Sequence, residues 1–161
     1  TKQSEGDWDY QQVVLGFNYR MTELQAALGI SQMKNLDKFV TFRHQCQQRY
    51  DGLLKDLPLI TPHQNVDSYS ALHLYPIQIK LDEIKRTRRE VFKYLRENEI
   101  GVNIHYIPVH TQPYFQNIGF KRGDYSNAES YYESAISIPI FHGLTIQMQD
   151  EVIGVLKKAL V

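Results

Sequence analysis

Apolar positions recur along the chain with two periods. From Thr22 to about Leu54 they fall at steps of three, four or seven. Leu36, Phe39, Cys46, Tyr50 and Leu53 therefore share one face of a long helix. Thr22, Glu23, Leu24 and Gln25 open this stretch as a capping box, with the Thr hydroxyl accepting from the Gln25 amide and the Gln side chain reaching back. Gly29 weakens a helix by ~1 kcal/mol relative to Ala, so a bend or break is expected near it. Gly52 and Pro58 mark the far end. A second helix is expected over residues 82–98, with Ile84, Val91, Phe92 and Leu95 inward. Ser126, Asn127, Ala128 and Glu129 read as another capping box that starts a short helix. Thr145 is placed to cap a last helix carrying Met148, Val152, Ile153, Leu156 and Leu160.

Shorter apolar runs lie between the helices. Residues 10–15, 72–80, 102–106 and 136–140 are strand candidates. Pro76 puts the second of these at a sheet edge or a bulge, because proline cannot donate to a ladder. Residues 61–70 are a polar loop. The order is strand, long helix, strand, helix, strand, helix, strand, helix. It predicts an α/β or α+β layer arrangement, with one small sheet covered by helices.

Composition narrows the function classes. The chain has 161 residues, 42% hydrophobic and 22% charged, with 18 Lys+Arg against 18 Asp+Glu. A chain of this length can bury roughly 70% of its unfolded surface. Zero net charge gives no field for non-specific nucleic-acid binding. No apolar run approaches the ~20 residues of a membrane span. One cysteine excludes an internal disulfide framework and a Cys-rich zinc site, so a cytoplasmic location is expected. The chain opens TKQSEGDWDYQQ without an initiator Met, as a fragment, a processed product or a trimmed chain would.

Two segments carry candidate chemistry. Asn18, Tyr19 and Arg20 precede a helix N-terminus, where free N–H groups and the helix dipole favour an anion. The alternative, which the chemistry alone favours, is a turn whose Arg pairs with a nearby carboxylate. His105, Tyr106 and His110 lie in VNIHYIPVH, stiffened by Pro108, and suit a polar ligand with a ring. The alternative is a strand end with satisfied histidines. Two histidines without a third ligand in the motif do not make a metal site. Lys85, Arg88, Arg89, Lys93 and Arg96 read as the solvated face of the middle helix. Cys46 reads as a buried, inert thiol. Lys121, in GFKRGD, reads as a turn residue.

Four separated segments then agree in order with one family. GFNYRMTELQAALGISQMKNLD (residues 16–37), HLYPI (73–77), VNIHYIPVHTQPYF (102–115) and GDYSNAESYYESAISIPIFHGLT (123–145) resemble the DegT/DnrJ/StrS sugar aminotransferases. The HLYPI and HYIPVH pieces are most similar to the branch that acts in pseudaminic acid biosynthesis. The resemblance implies the C-terminal domain of an aspartate-aminotransferase-like (fold type I) architecture that uses pyridoxal phosphate (PLP). Residues 1–20 would be the remnant of the large cofactor-binding domain and residues 21–161 the small domain. It also implies amino transfer from glutamate to a UDP-linked 4-keto-6-deoxy sugar, in a cytoplasmic homodimer with no nucleic-acid or membrane partner. Asn18 matches the residue that reaches the partner subunit's PLP phosphate, and Tyr19 and Arg20 match its neighbours, with Arg20 serving the cofactor, the substrate or only the fold. His105, Tyr106 and His110 match the loop that approaches the nucleotide sugar. Tyr75 matches a strand aromatic at the substrate side or in the packing. None of the ten lysines lies where the family places its Schiff-base lysine, so no catalytic residue is expected here and no transamination by this chain alone. The competing expectation is a non-catalytic module that binds a nucleotide sugar or dimerises.

Overall fold

The structure is a computed structural model that describes residues 14–17 and 19–161. The chain divides between Asn35 and Leu36 into two compact units.

The first unit holds helix α1, Glu23–Met33. The expected capping box is present: Thr22 accepts from the Gln25 amide, and Gln25 Oε1 accepts from the Thr22 backbone at 2.9 Å. The long helix expected to run on to Leu54 is interrupted at Lys34 and Asn35, not near Gly29. The Asn35 side chain donates to the Ser31 carbonyl and its backbone to that of Gln32, local bonds that compete with continuing the α-helix. None of the residues of α1 is buried. The strand expected over residues 10–15 lies outside the described residues at 10–13, and Val14 and Leu15 are not in a strand.

The second unit contains α2 (Leu36–Leu54), β1 (Leu59–Ile60), β2 (Tyr75–Ile79), α3 (Arg88–Glu97), α4 (Pro113–Asn117), α5 (Ser126–Ser134), β3 (Ala135–Ile138) and α6 (Ile146–Ala159). The sheet is antiparallel in the order β1-β2-β3. Its alternating face on β2 buries Tyr75, Ile77 and Ile79. These join Tyr50 and Leu54 of α2, Val91 and Leu95 of α3, Ile136 of β3 and Leu156 of α6 in one core.

Pro76 sits on the central strand rather than an edge. It stays compatible with the ladder because of its register. Ser137, opposite Pro76, gives its own backbone N–H and C=O to Asn103 on its far side. The Pro76–Ser137 pair is thus a non-hydrogen-bonded one, and the proline nitrogen faces β1. β1 stops at Ile60, opposite Gln78, so no ladder bond is lost.

Two further expectations change. The helix expected from Asp82 starts at Arg88, because Thr87 caps it with a full Thr87–Glu90 box. Residues 102–106 make one isolated bridge, Asn103 to Ser137, instead of a strand. Thr145 does cap α6, accepting from the Met148 amide at 3.2 Å.

Polar ties fix the loops at one end of the sheet. Arg43 Nη1 donates to the carbonyls of Leu72 (2.8 Å), His73 (3.0 Å) and Ile140 (3.3 Å). Arg86 donates to the Lys158 carbonyl at 2.6 Å, a cation at the C-terminal end of α6.

Candidate functional site

The loop that carries the two sequence-predicted histidines leaves the sheet at Asn103. Its first histidine is tied at once: His105 Nδ1 is hydrogen-bonded to Ser137 Oγ at 2.9 Å, and Ser137 is buried on β3. The Tyr106 ring stands edge-on to that of His105, 4.7 Å between centroids, and is 68% exposed. Pro108 is buried, and the turn Val109–Thr111 closes through two bonds from Thr111 to the Pro108 carbonyl.

His110 ends this loop and is only 6% exposed. Its Nε2–H donates to Glu129 Oε1 at 2.8 Å. The same carboxylate oxygen accepts the Gly123 amide at 2.7 Å, where Gly123 has φ +94°, a left-handed turn that suits glycine. The His110 bond, and then the Gly123 bond, hold the Glu129 carboxyl below its usual range. The capping box expected from Ser126 to Glu129 is therefore absent. Tyr125 takes the cap position without a side-chain bond, and Glu129 serves the histidine instead.

His105 and His110 face different cavities. His105 borders a cleft of about 520 Å³ with Asn103, Ser137, Phe141, Met148 and Glu151. His110 borders a smaller pocket of about 340 Å³ with Phe115, Phe120 and Tyr125. The two histidines therefore do not converge on one ligand volume within this unit. Tyr75 takes no part in either. It is fully buried, its ring 5.2 Å from that of Tyr50, and its hydroxyl donates to Asp51. As a substrate contact it is corrected to a core residue, because it offers a ligand no surface. Burial, the bond to Asp51 and that carboxylate's charge all push its phenol pKa up.

Asn18 lies outside the described residues. Arg20 is described and exposed in the first unit, as is Tyr19. Among the described residues no group of His, Cys, Asp and Glu could hold a metal ion, and no helix is long and apolar enough to cross a membrane. Cys46 is buried, and burial raises its thiol pKa. Of the basic residues expected on one helix face, Lys85 is exposed but precedes α3, Arg89, Lys93 and Arg96 are exposed on α3, and Arg88 lies over the Tyr132 ring at 4.9 Å. Lys121 is exposed, and its backbone N–H donates to Asp124.

The described residues do not by themselves fit a pyridoxal cofactor. No described lysine is buried, as a Schiff-base lysine beside a sequestered ring would be. The buried polar side chains His110, Ser137 and Gln149 all have partners within the chain. Among the described residues the one buried side-chain nitrogen or oxygen without a partner is Arg49 Nη1, on a guanidinium whose Nη2 pairs with Asp150 at 2.7 Å.

Comparison with known proteins gives these features a setting. A profile of the DegT/DnrJ/EryC1/StrS aminotransferase family matches residues 2–157. The chain is 37% identical over 153 residues to the spore coat polysaccharide biosynthesis protein SpsC of Bacillus subtilis, covering 93% of this chain and 39% of that protein. It is 30% identical over 156 residues to the UDP-4-amino-4,6-dideoxy-N-acetyl-beta-L-altrosamine transaminase of Campylobacter jejuni, covering 94% and 41%. The putative sugar aminotransferase Spr1654 of Streptococcus pneumoniae, solved in its PLP form, superposes with a TM-score of 0.83 at 25% identity, over 96% of this chain and 40% of that one. The fold is therefore that of part of a PLP-dependent aminotransferase. The chain spans about two fifths of the length of these relatives. On the family match and these identities, the chain belongs to the DegT/DnrJ/EryC1/StrS aminotransferase family.

Proposed function

We propose that this chain is the C-terminal portion of a nucleotide-sugar aminotransferase. Residues 1–20 belong to the large cofactor-binding domain, and residues 21–161 form the small domain. The cofactor is pyridoxal phosphate, which supplies the electron sink for moving an amino group between carbonyl carbons. Glutamate is the donor. A UDP-linked 4-keto-6-deoxy sugar of the pseudaminic acid type is the acceptor, in a cytoplasmic homodimer. Asn18 reaches the partner subunit's cofactor phosphate, for which its amide N–H₂ is a suitable donor, and Arg20 adds a cation. His105, Tyr106 and His110 belong to the loop facing the nucleotide sugar. Without the Schiff-base lysine, this chain alone does not transaminate.

The surface of the first unit carries this reading. Leu15, Phe17 and Leu24 are 95%, 84% and 85% exposed, and α1 buries no residue although it contains Leu24, Leu28, Ile30 and Met33. A helix with that content is stable in water only when another surface covers it. A large domain and a second subunit supply such a surface.

The test is amino transfer itself. The polypeptide encoded by the reading frame extended upstream of the Thr1 codon is incubated with PLP, glutamate and a UDP-linked 4-keto-6-deoxy-N-acetylhexosamine. Mass spectrometry should find the 4-amino sugar. A short native protein that binds the UDP-sugar without PLP would instead establish the non-catalytic module.

A further inference from the structure

Residues 85–96 hold six of the chain's 18 Lys+Arg and one acid, Glu90. The chain is neutral as a whole, so this stretch makes a local positive field. Two of its cations are engaged: Arg86 donates to the Lys158 carbonyl, and Lys93 pairs with Glu97 at 3.5 Å. Glu90 is engaged too. It faces the start of α3, where the Thr87 hydroxyl and backbone N–H each donate to its carboxylate at 2.8 Å. Arg88 and Arg89 have no hydrogen bond or ion pair among the described residues. Both line a groove of about 460 Å³ whose wall is Phe92, Ile104 and Tyr132, all half-buried. The Arg88 guanidinium lies over the Tyr132 ring at 4.9 Å. That contact uses the flat face of the guanidinium and leaves its N–H edge free to donate.

We infer that this groove between α3 and α5 binds a nucleoside diphosphate, with Arg88 and Arg89 taking the phosphates and the aromatic wall taking the base. Two neighbouring guanidinium groups with no acid between them repel each other, and a ligand carrying two negative charges relieves that repulsion. The planar N–H fork of arginine matches a pair of phosphate oxygens, which a lysine ammonium does not. Phe92 and Tyr132 offer ring faces to a base, and Ile104 adds apolar contact. The volume falls within the ~300–1,000 Å³ of small-molecule sites. A bare inorganic anion would leave the apolar wall unused. A nucleic-acid duplex would need a longer basic track than two arginines. Binding here requires no PLP, and it holds whether or not the longer polypeptide transfers amino groups.

Titration of the 161-residue chain with UDP, by calorimetry and by amide NMR, decides it. UDP should bind with a Kd below about 1 mM at low salt. The affinity should fall about fivefold on raising the salt from about 0.05 to 0.3 M, and the shifted amides should lie in residues 87–92 and 131–133. Arg88→Ala and Arg89→Ala should each weaken binding about tenfold, as loss of a charge-assisted fork implies. Arg89→Lys, which keeps the charge without the fork, should fall between parent and Arg89→Ala. Lys93→Ala removes a charge from the same helix outside the groove and should stay within about twofold. Pyrophosphate should bind about fivefold more weakly than UDP. A UDP-hexose that binds as tightly as UDP assigns the groove to sugar nucleotides, and one that binds more weakly assigns it to free nucleotides. No saturable UDP binding overturns the site, as does an equal loss in Lys93→Ala and Arg89→Ala. Pyrophosphate as tight as UDP overturns the base contact.

Discussion

Gln149 of α6 donates its side-chain amide to the Cys46 carbonyl of α2 at 3.0 Å, with both residues buried. The bond joins α6 to α2, the helix that carries Tyr50. Replacing Gln149 with Ala removes it and leaves a small void. A cost of about 1–3 kcal/mol is expected. By calorimetry this should lower Tm by about 2–10 °C for a chain of this size. A Tm within one degree of the parent would show that the bond contributes nothing.

Acid stability should depend on Glu129 and Glu90. His110 and Gly123 depress the first, and the Thr87 backbone and hydroxyl depress the second. A carboxyl with a lowered folded pKa contributes stability that is fully present above its unfolded value of ~4.3 and is lost as pH falls through the folded value. Thermal melts between pH 7 and 3 should therefore fall away below about pH 4. Glu129→Gln should flatten that decline. An equally steep decline in the variant would remove Glu129 from the cause.

At high pH the core tyrosines set the limit. Burial raises the phenols of Tyr50 and Tyr75. A raised folded pKa contributes stability that is complete below the unfolded value of ~10 and is lost as pH rises toward the folded one. Spectrophotometric titration should find Tyr50 and Tyr75 ionising only as the chain unfolds. Tyr75→Phe should change the alkaline midpoint. Ionisation of all eleven tyrosines together in the folded chain would contradict the buried pair.

Two Thr and Ser positions that look alike in sequence should behave differently. Thr87 Oγ1 accepts from the Glu90 amide at 3.3 Å, and the Thr87 hydroxyl and backbone N–H each donate to the Glu90 carboxylate at 2.8 Å. Ser126 makes no cap bond. Thr87→Ala should cost about 1 kcal/mol, and Ser126→Ala should stay within about 0.5 kcal/mol, by denaturant titration.

That contrast shows what was legible in the sequence. Ser126 to Glu129 reads as a capping box and Thr87 to Glu90 goes unread, although both have the form hydroxyl-x-x-acid; only tertiary structure decides where the acid goes. At Glu129 a buried histidine is the stronger claimant. Periodicity located α2, α3, α6 and the central strand, because their apolar faces are the core. It placed Cys46, Tyr50, Val91, Leu95 and Leu156 inward. It misjudged Pro76, because the rule concerns ladder bonds and here the neighbouring strand ends before one is needed. Asn35 interrupts the long helix through side-chain bonding that a glycine-based reading overlooks. In the candidate site, residue type singled out His105 and His110. Their partners Ser137 and Glu129 lie too far along the chain for any spacing rule. Arg43, which ties three loop carbonyls, belongs to no motif and is not singled out by the sequence.

The most direct test of the central claim is to locate the cofactor's lysine. The longer polypeptide and the 161-residue chain are each incubated with PLP, reduced with borohydride, digested and examined by mass spectrometry. The longer polypeptide should carry one stoichiometric phosphopyridoxyl group on a lysine outside these residues, and the 161-residue chain should carry none. A specific, stoichiometric adduct on one of the ten lysines present here, Lys121 for example, would contradict the proposed division of the active site.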